Sequence, residues 1–328
     1  MAERTALITG ALGQDGSLLA KSLLSRGYKV VGIARSLRAG VAEPADPGLD
    51  LRVVDLTDLQ AVHRLLEEVQ PDELYHLAAA HHSSQGATSG GGRELRDRML
   101  ATNFLATRTL AEALLEMRPE CSLVFAASSQ IHTAAAGVLE VDENTPRSPS
   151  TFYGHTKCWS MHLLGFLRET AGLRASTAIL FNHESIRRNT SFVSRKVTQA
   201  VAKAKRGQPT ALTLQNIGAR ADWSSARDVV DALQRMGCAM LPGDYVIGSG
   251  QLVSVRYLVE SAFESAGLEW ECHARFVRDE STPALVARPA RIEHALGWRA
   301  TTPLRAWLRE MVDQELALLE RDANEGNI

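Results

Sequence analysis

Apolar residues in the first half of the chain form short runs that are separated by longer amphipathic segments. The short runs predict strands at Thr5–Thr9, Lys29–Ala34, Leu51–Asp55, Glu73–Ala80, Ser122–Ala127 and Ser176–Phe181. The amphipathic segments predict helices at SLLAKSLLSRG after the first strand, at Thr57–Val69, at Met99–Glu116 and around Tyr153. Strands that alternate with helices predict an α/β fold, a doubly wound parallel sheet with right-handed crossovers.

The second half of the chain has a less regular pattern. From about Leu241 onward the apolar runs are short, and they predict small strands and helices with a terminal helix from Pro303. We interpret this half as a smaller lobe over the strand ends. The predicted division is a sheet domain at 1–180 and a C-terminal lobe at 181–328, between which the chain can cross.

Composition changes this picture little. The 328 residues are 45% hydrophobic and 23% charged, with a formal net charge of −2, so nothing indicates a nucleic acid or a membrane as partner. The start, MAERTALITG, lacks the long apolar region of a signal peptide, and no run of about 18 apolar residues follows. The four cysteines are widely scattered, which favours reduced thiols in a cytoplasmic protein.

A glycine-rich turn follows the first predicted strand. Gly10, Gly13 and Gly16 stand between that strand and an amphipathic helix. Glycines let the backbone approach a pyrophosphate, and a helix N-terminus supplies free amides and positive potential. The order of strand, turn and helix therefore predicts a dinucleotide site.

The end of the second predicted strand bears on the choice of dinucleotide. An acidic residue there usually holds the ribose 2′-hydroxyl of NAD, but this strand ends in Arg35, with Arg38 close behind. Two guanidinium groups favour the 2′-phosphate of NADP, unless both are solvated on a loop. Asp55, at the end of the third strand, either faces the adenine or caps the following turn.

Two histidines and a glycine-rich loop follow the fourth predicted strand. His81 and His82 point in different directions and have no third ligand at metal spacing, so we predict no metal site. The loop Ser83–Gly92 either moves on substrate binding or connects its neighbours passively.

Tyr153 and Lys157 stand four residues apart and share a helix face. A phenol normally loses its proton near pH ~10, and a neighbouring ammonium lowers that pKa, so the pair predicts proton transfer. Ser128 and Ser129 follow the fifth strand, and in open α/β sheets ligands bind at such carboxyl ends. Either hydroxyl could bond the same substrate oxygen as Tyr153.

A cationic segment follows the sixth predicted strand. The sequence NHES at 182–185 is followed by Arg187, Arg188, Arg195 and Lys196. Planar guanidinium groups suit the diphosphate of a second nucleotide. The alternative is a solvated basic helix.

Together these features resemble the extended short-chain dehydrogenase/reductases that act on nucleotide sugars. Several stretches are similar to the GDP-mannose 4,6-dehydratase family: ALITGALGQDGSLLAKSLLSRGY, LFNHESIRR with FVSRKVTQAVAKAKRG, ADWSSARDVVDA and LGW. The resemblance covers almost the whole chain. It implies a Rossmann domain at 1–180, a nucleotide-sugar lobe at 181–328, and a homodimer or homotetramer to which Arg38 and its loop could contribute.

The resemblance also implies roles for individual residues. Tyr153 would be the acid/base at the sugar C4 hydroxyl, Lys157 its tuner, and Ser128 a contact to the C4 oxygen. Implied contacts to NADP are Gly10, Gly13, Gln14, Asp15, Gly16, Arg35, Asp55, Leu56, Leu77, Ala78, Ala79, Tyr153 and Lys157. Implied contacts to the nucleotide sugar are Ser129, Asn182, Glu184, Arg188, Lys196, Arg220 and Arg278.

Three positions depart from the family pattern. Gln130 stands where the dehydratases have the glutamate that removes the C5 proton and helps to expel water. An amide takes no proton at neutral pH, and losing a positioned base typically costs about 10²–10⁴-fold in rate. Ala221 replaces an arginine, and the segment at Arg278 reads RDEST instead of RPAE.

Gln130 determines our functional prediction. The first hypothesis is a 4-ketosugar reductase or C4 oxidase of a GDP-hexose or GDP-heptose that eliminates no water. The alternative is a GDP-mannose 4,6-dehydratase in which another group replaces the glutamate. A further alternative is a non-catalytic nucleotide-binding protein, against which the retention of Ser128, Tyr153 and Lys157 argues.

Overall fold

The computed structural model of the chain describes residues 4–34, 46–81, 92–239 and 241–325. The strands are β1 Thr5–Thr9, β2 Lys29–Ala34, β3 Leu49–Val53, β4 Glu73–His76, β5 Ser122–Ala126, β6 Val138–Val141, β7 Ala175–Leu180, β8 Asn182–Glu184, β9 Leu212–Asn216, β10 Arg220–Ser225, β11 Asp244–Ile247, β12 Leu252–Ser254, β13 Ala274–Arg278 and β14 Ala284–Ala287. The helices are α1 Gln14–Ser25, α2 Leu59–Val69, α3 Arg93–Met99, α4 Ala106–Met117, α5 Phe152–Ala171, α6 Val193–Lys205, α7 Ala226–Cys238, α8 Val255–Ser265, α9 Ala290–Leu296 and α10 Leu304–Glu325.

Within the described residues, seven strands form one parallel sheet in the order β11-β7-β5-β4-β1-β2-β3. Strand order runs outward in both directions from β1, which is the doubly wound arrangement that places ligands at the carboxyl ends near the reversal point. The predicted fold class is confirmed. One assignment was wrong: β11 joins this sheet, whereas the sequence placed residues from Leu241 onward in the smaller lobe.

Side-chain alternation along the strands produces two apolar layers. Leu7 faces the layer formed with α2, α4 and α5, whereas the next residue, Ile8, faces the layer formed with α1 and α7. Both side chains are fully buried. The near-continuous apolar runs of the sequence follow from this burial on both faces.

The smaller lobe has its own apolar core. Helices α6, α8 and α10 pack around β9, with Phe263, Trp307 and Leu308 buried between them. Parallel pairing of β8 with β10 brings the FNHES and ADWSS segments side by side. The lobe thus extends from a strand that begins two residues after β7 of the main sheet.

Several elements differ from their predicted limits at the sheet's carboxyl edge. Strand β4 ends at His76, and four residues later the backbone N–H and C=O of Ala80 bond to the side chain of Asn103 instead of to a neighbouring strand. The helix predicted at Met99–Glu116 begins at Arg93 and passes through a π-helical turn at Leu100–Leu105. Such turns often occur at functional sites.

Candidate active site

A cleft of about 1140 Å³ opens over the carboxyl ends of β1, β4, β5 and β7. Its volume exceeds the ~300–1,000 Å³ that is usual for one small ligand. One wall comes from the main sheet. The other wall comes from the segment that follows β7, including Asn182, Glu184 and Arg188. The space suits a dinucleotide and a second nucleotide side by side.

The glycine turn has a geometry that side chains would destroy. Gly10 has a φ of +72°, and a Cβ there would lie 2.8 Å from the backbone nitrogen of Ala78. A Cβ on Gly16 would overlap the carbonyl oxygen of Gly10. Gly13 caps α1 without a side chain, so the first amides of the helix point at the cleft. This cradle fits a pyrophosphate.

The residues predicted to contact the cofactor lie mostly on the same wall. The cleft is lined by Gly10, Gly13, Gln14, Asp15, Asp55, Leu56, Leu77, Ala78 and Ala79. Gly16 lies beneath the turn, in contact with Gly10. The carboxylate of Asp55 accepts hydrogen bonds from the backbone nitrogen (2.9 Å) and hydroxyl (2.7 Å) of Thr57, which lower its pKa. Arg35 and Arg38 lie outside the described residues.

Gln14 and Asp15 contact the opposite wall of the cleft. Gln14 donates through Nε2 to the carbonyl of His183 (3.1 Å) and accepts at Oε1 from the hydroxyl of Ser185 (2.9 Å). The imidazole Nε2 of His183 lies 2.9 Å from Asp15 Oδ2. These contacts, which we call the wall-to-wall clamp (Gln14, Asp15, His183 and Ser185), join the cofactor turn to the NHES segment.

The clamp contains a charged pair. Nδ1 of His183 lies 2.7 Å from the carbonyl oxygen of Phe181, and Nε2 faces the carboxylate, so both ring nitrogens donate and the ring is a cation. Burial lowers the pKa of His183, but Asp15 more than offsets this effect and raises it overall. Burial raises the pKa of Asp15, and the cation of His183 turns the net shift downward. Each partner thereby holds the other in its ionised form.

Helix α5, which carries Tyr153 and Lys157, begins beside the end of β5. The hydroxyl of Thr151 accepts from the backbone nitrogen of Gly154 and caps the helix. A Cβ on Gly154 would overlap the carbonyl oxygen of Gln130, so this glycine lets α5 pack closely on the turn that follows Ser128. The predicted catalytic residues Ser128, Gln130, Tyr153 and Lys157 all line the cleft.

The pKa of Tyr153 has different causes from those expected. Burial raises it to about 12, whereas the hydroxyl of Ser128 and the charge of Arg188 lower it. Lys157 Nζ donates to the carbonyl of Ala126 (2.8 Å) and lies 5.9 Å from the Tyr153 ring centre, and burial lowers the pKa of Lys157 to about 7. In this arrangement Ser128 and Arg188 lower the pKa of Tyr153, and the role of Lys157 as its tuner stays a prediction.

Gln130 lies in the cleft as an exposed amide. Its Oε1 accepts from the hydroxyl of Thr151 at 3.3 Å. The neighbouring His132 is buried, with Nδ1 held 3.0 Å from the carbonyl of Pro146 and with burial lowering its pKa. His132 is thus fixed away from the cleft and takes no part in its wall.

The predicted substrate contacts divide into two groups. Ser129, Asn182, Glu184 and Arg188 line the cleft. Glu184 is buried, which raises its pKa; it accepts from the hydroxyl of Ser194 at 2.5 Å and lies 3.6 Å from the guanidinium of Arg188. The structure does not bring Lys196, Arg220 and Arg278 to the cleft wall.

Three arginines that were predicted to contact the substrate lie away from the cleft wall. Arg220 donates to the hydroxyl of Ser281, and Arg278 is exposed on β13. Arg195 forms a buried ion pair with Glu315 (2.7 Å), so its charge anchors α6 to α10. The interpretation of Arg195 as a diphosphate ligand was wrong, because its guanidinium faces the lobe's interior.

Sequence reasoning missed other residues of the cleft wall. His81, Arg98, Thr102, His183 and Phe192 all line it. His183 could have been suspected from its place after a strand, but nothing in the sequence pairs it with a residue 168 positions away.

No cluster of His, Cys, Asp or Glu suited to a metal occurs among the residues described, and His82 lies outside them. No described helix is long and apolar enough to cross a membrane.

Comparisons with known proteins agree with this geometry. A family model described as GDP-mannose 4,6 dehydratase matches residues 7–311. A GDP-mannose 4,6-dehydratase of Sinorhizobium fredii strain HH103 is 32% identical over 349 residues, covering 96% of this chain and 97% of that protein.

Solved structures extend the comparison. MoeE5 in complex with UDP-glucose and NAD has 25% identity and a TM-score of 0.77, with 96% and 99% of the two chains covered. The UDP-glucose 4-epimerase of Thermus thermophilus shares the fold at 24% identity and a TM-score of 0.79, with 95% and 98% covered. The protein is therefore a nucleotide-sugar-modifying enzyme of the extended short-chain dehydrogenase/reductase type. Within that type, the chain belongs to the GDP-mannose 4,6-dehydratase family.

Proposed function

We propose that the enzyme eliminates water from a GDP-linked hexose, GDP-mannose in the first instance, to give the 4-keto-6-deoxy sugar. The observation that carries this proposal is the family match over residues 7–311, which spans both walls of the cleft. The sequence had favoured C4 oxidation or reduction without elimination. The relatives support the alternative better, since the Sinorhizobium protein bears the dehydratase name.

The proposed chemistry begins at Tyr153. As the phenolate, Tyr153 would accept the proton of the C4 hydroxyl, and Ser128 and the charge of Arg188 favour that form because both lower the pKa of Tyr153. Ser128 would hold the same oxygen. Asn182, Glu184 and Arg188 on the opposite wall would hold the diphosphate and sugar. When bound, a nicotinamide cofactor would take a hydride from the sugar and later return it.

We further propose NADP as that cofactor. The glycine cradle would hold the pyrophosphate, and Ala78 and Ala79 leave room for a flat ring beside the backbone. MoeE5 was solved with NAD, which supports a nicotinamide dinucleotide but not the choice of NADP. Arg35 and Arg38 support NADP. Titration calorimetry of the Arg35→Ala variant should show weaker NADP binding and unchanged NAD binding; equal losses for both would contradict the choice.

A second candidate function is hydride transfer at C4 without elimination. Gln130 favours it, because the amide cannot take the C5 proton. The two candidates are separated by incubating the enzyme with GDP-mannose and NADP and following the sugar by mass spectrometry. Loss of one water supports elimination. A 4-ketosugar with its C6 hydroxyl retained and reduced cofactor in equal amount would support the second candidate, and Tyr153→Phe is the control for both.

A homodimer or homotetramer is part of the proposal. On α5, Trp159 and Phe166 are 41% and 60% exposed, and Phe152 and Phe104 contact the Trp159 ring. An aromatic face of this kind is more apolar than a solvated helix requires. Replacing Phe166 with Glu should halve the mass of the assembly in sedimentation equilibrium, because one interface is lost; an unchanged mass would exclude this face.

A further inference from the structure

His81 stands at a point of the cleft where the proposed elimination needs a base. We propose that its imidazole removes the C5 proton in place of the glutamate that Gln130 replaces. The inference rests on the proposed elimination. His81 follows β4 directly after the alanine run, it is exposed, and it lines the cleft.

The backbone before His81 is fixed. The side chain of Asn103 accepts from the backbone nitrogen of Ala80 (2.8 Å) and donates to its carbonyl (3.0 Å). Asn103 is buried and also donates to the hydroxyl of Thr156 on the helix that carries Tyr153. One side chain thus ties the approach to His81 and the catalytic helix together.

The ring of His81 lies between two aromatic rings of the cleft. Its centre is 6.2 Å from that of Tyr153 and 5.9 Å from that of Phe192, on which it stacks at 25°. Tyr153 serves the C4 hydroxyl in the proposed reaction. C5 is the next carbon of the sugar ring after C4, so a base whose ring centre lies 6.2 Å from that of Tyr153 is near enough to serve it.

The carboxylates of the described cleft and the imidazole of His183 have the following contacts. Asp15 and His183 neutralise each other, and Asp55 accepts two hydrogen bonds from Thr57. Glu184 is buried behind Ser194 and Arg188. An imidazole ordinarily titrates near pH ~6.5 and so can both take and return a proton at neutral pH.

The step balances without a further reactant. The C4 ketone formed first makes the C5 hydrogen acidic. The C5–H bond breaks, its proton passes to His81, and its electron pair forms the C5–C6 double bond as the C6–O bond breaks. The departing hydroxide takes a proton from the His81 imidazolium and leaves as water. A bound reduced nicotinamide would supply the hydride that C6 requires, and His81 would pass a proton from solvent to C5.

The test compares His81→Gln with His294→Gln, an exposed histidine of α9 away from the cleft wall. With GDP-mannose and NADP, His81→Gln should form the 4-keto-6-deoxy sugar about 10²–10⁴-fold more slowly than wild type. It should still reduce bound cofactor in a single turnover, and C5 deuterium uptake from D₂O should be lost. In His81→Ala, added imidazole should restore part of both rates.

Other outcomes overturn the inference. His81 is not the base if His81→Gln forms the 4-keto-6-deoxy sugar no more slowly than His294→Gln does. The same conclusion follows if imidazole fails to restore the rate of a folded His81→Ala variant. If Glu184→Gln, and not His81→Gln, reduces the bound cofactor but forms no dehydrated sugar, Glu184 is the base. If wild-type enzyme gives no dehydrated sugar, the proposed function itself fails, and the inference fails with it.

Discussion

The two walls of the cleft present different kinds of groups to a ligand. The sheet wall is mostly backbone and small side chains, such as Gly10, Gly13 and Ala78. The lobe wall is made of charged and polar side chains, such as His183, Glu184 and Arg188. The shape of the sheet wall depends on where glycines occur in the sequence. The charge of the lobe wall depends on which side chains the fold brings together, so substitutions that change charge test its function.

The largest effect is expected where the walls meet, at Tyr153. Tyr153→Phe removes the oxygen that, as the phenolate, would take the C4 proton, and it should lower kcat by about 10³-fold, within the usual range for a general base. Cofactor affinity, measured by fluorescence titration, should change little, because the sheet wall is intact. A variant that keeps wild-type turnover would exclude Tyr153 from the chemistry.

Dinucleotide binding at the sheet wall should weaken when the backbone of the glycine turn is displaced. Gly16→Ala places a Cβ against the Gly10 carbonyl and should shift the turn, weakening dinucleotide binding by about 10²-fold. Gly165→Ala is the matched control, since its Cβ would meet only a side-chain nitrogen of Arg168 at 3.8 Å. That change lies inside α5 and should raise the free energy of unfolding by up to about 1 kcal/mol. Similar binding losses in both variants would contradict the cradle.

The stabilising effect of the wall-to-wall clamp should be reduced when one of its charges is removed. Asp15→Asn leaves the imidazolium of His183 without its carboxylate. We expect the free energy of unfolding in urea to fall by about 2 kcal/mol, below the ~3–5 kcal/mol of fully buried pairs, because Asp15 is 19% exposed. A double-mutant cycle with His183→Gln isolates the pair. An interaction energy near zero would show that the clamp is held by Gln14 and Ser185 alone.

Substitutions in the lobe should weaken binding of the nucleotide sugar more strongly at the cleft wall than away from it. Arg188→Ala removes a guanidinium from the cleft and should raise KM for the nucleotide sugar by about 10-fold, as expected for one charge-assisted hydrogen bond. Arg278→Ala, on the exposed strand β13, should change KM by less than about threefold. Equal effects in steady-state kinetics would mean that the lobe closes further over the substrate.

The smallest effect is the pH dependence of the clamp. His183 has a raised pKa, so its contribution is complete below its ordinary value of 6.5 and is lost as pH rises through the raised value. Asp15 has a lowered pKa, so its contribution is present above 3.8 and is lost as pH falls through the lowered value. The stability difference between wild type and His183→Gln, followed by urea unfolding, should peak between these limits. A difference that grows above pH 8 would contradict the ion pair.

Much of the sheet wall was determined by the sequence alone. The strand and helix pattern predicted the parallel sheet, because apolar alternation and glycine position are local properties. It also placed Ser128, Tyr153 and Lys157 on one cleft, since the carboxyl ends of parallel strands share an edge. Strand limits were less certain: β3 runs from Leu49 to Val53, two residues earlier than predicted.

Only the tertiary structure decided the partners of charged groups. Lys157 bonds to Ala126, Arg195 to Glu315, and Asp15 to His183. The last two pairs join residues more than a hundred positions apart, so no spacing rule could find them. Electrostatic energy depends on distance and burial, which exist only after folding. The sequence therefore determined which chemical groups are present, and the fold decided which of them face the substrate.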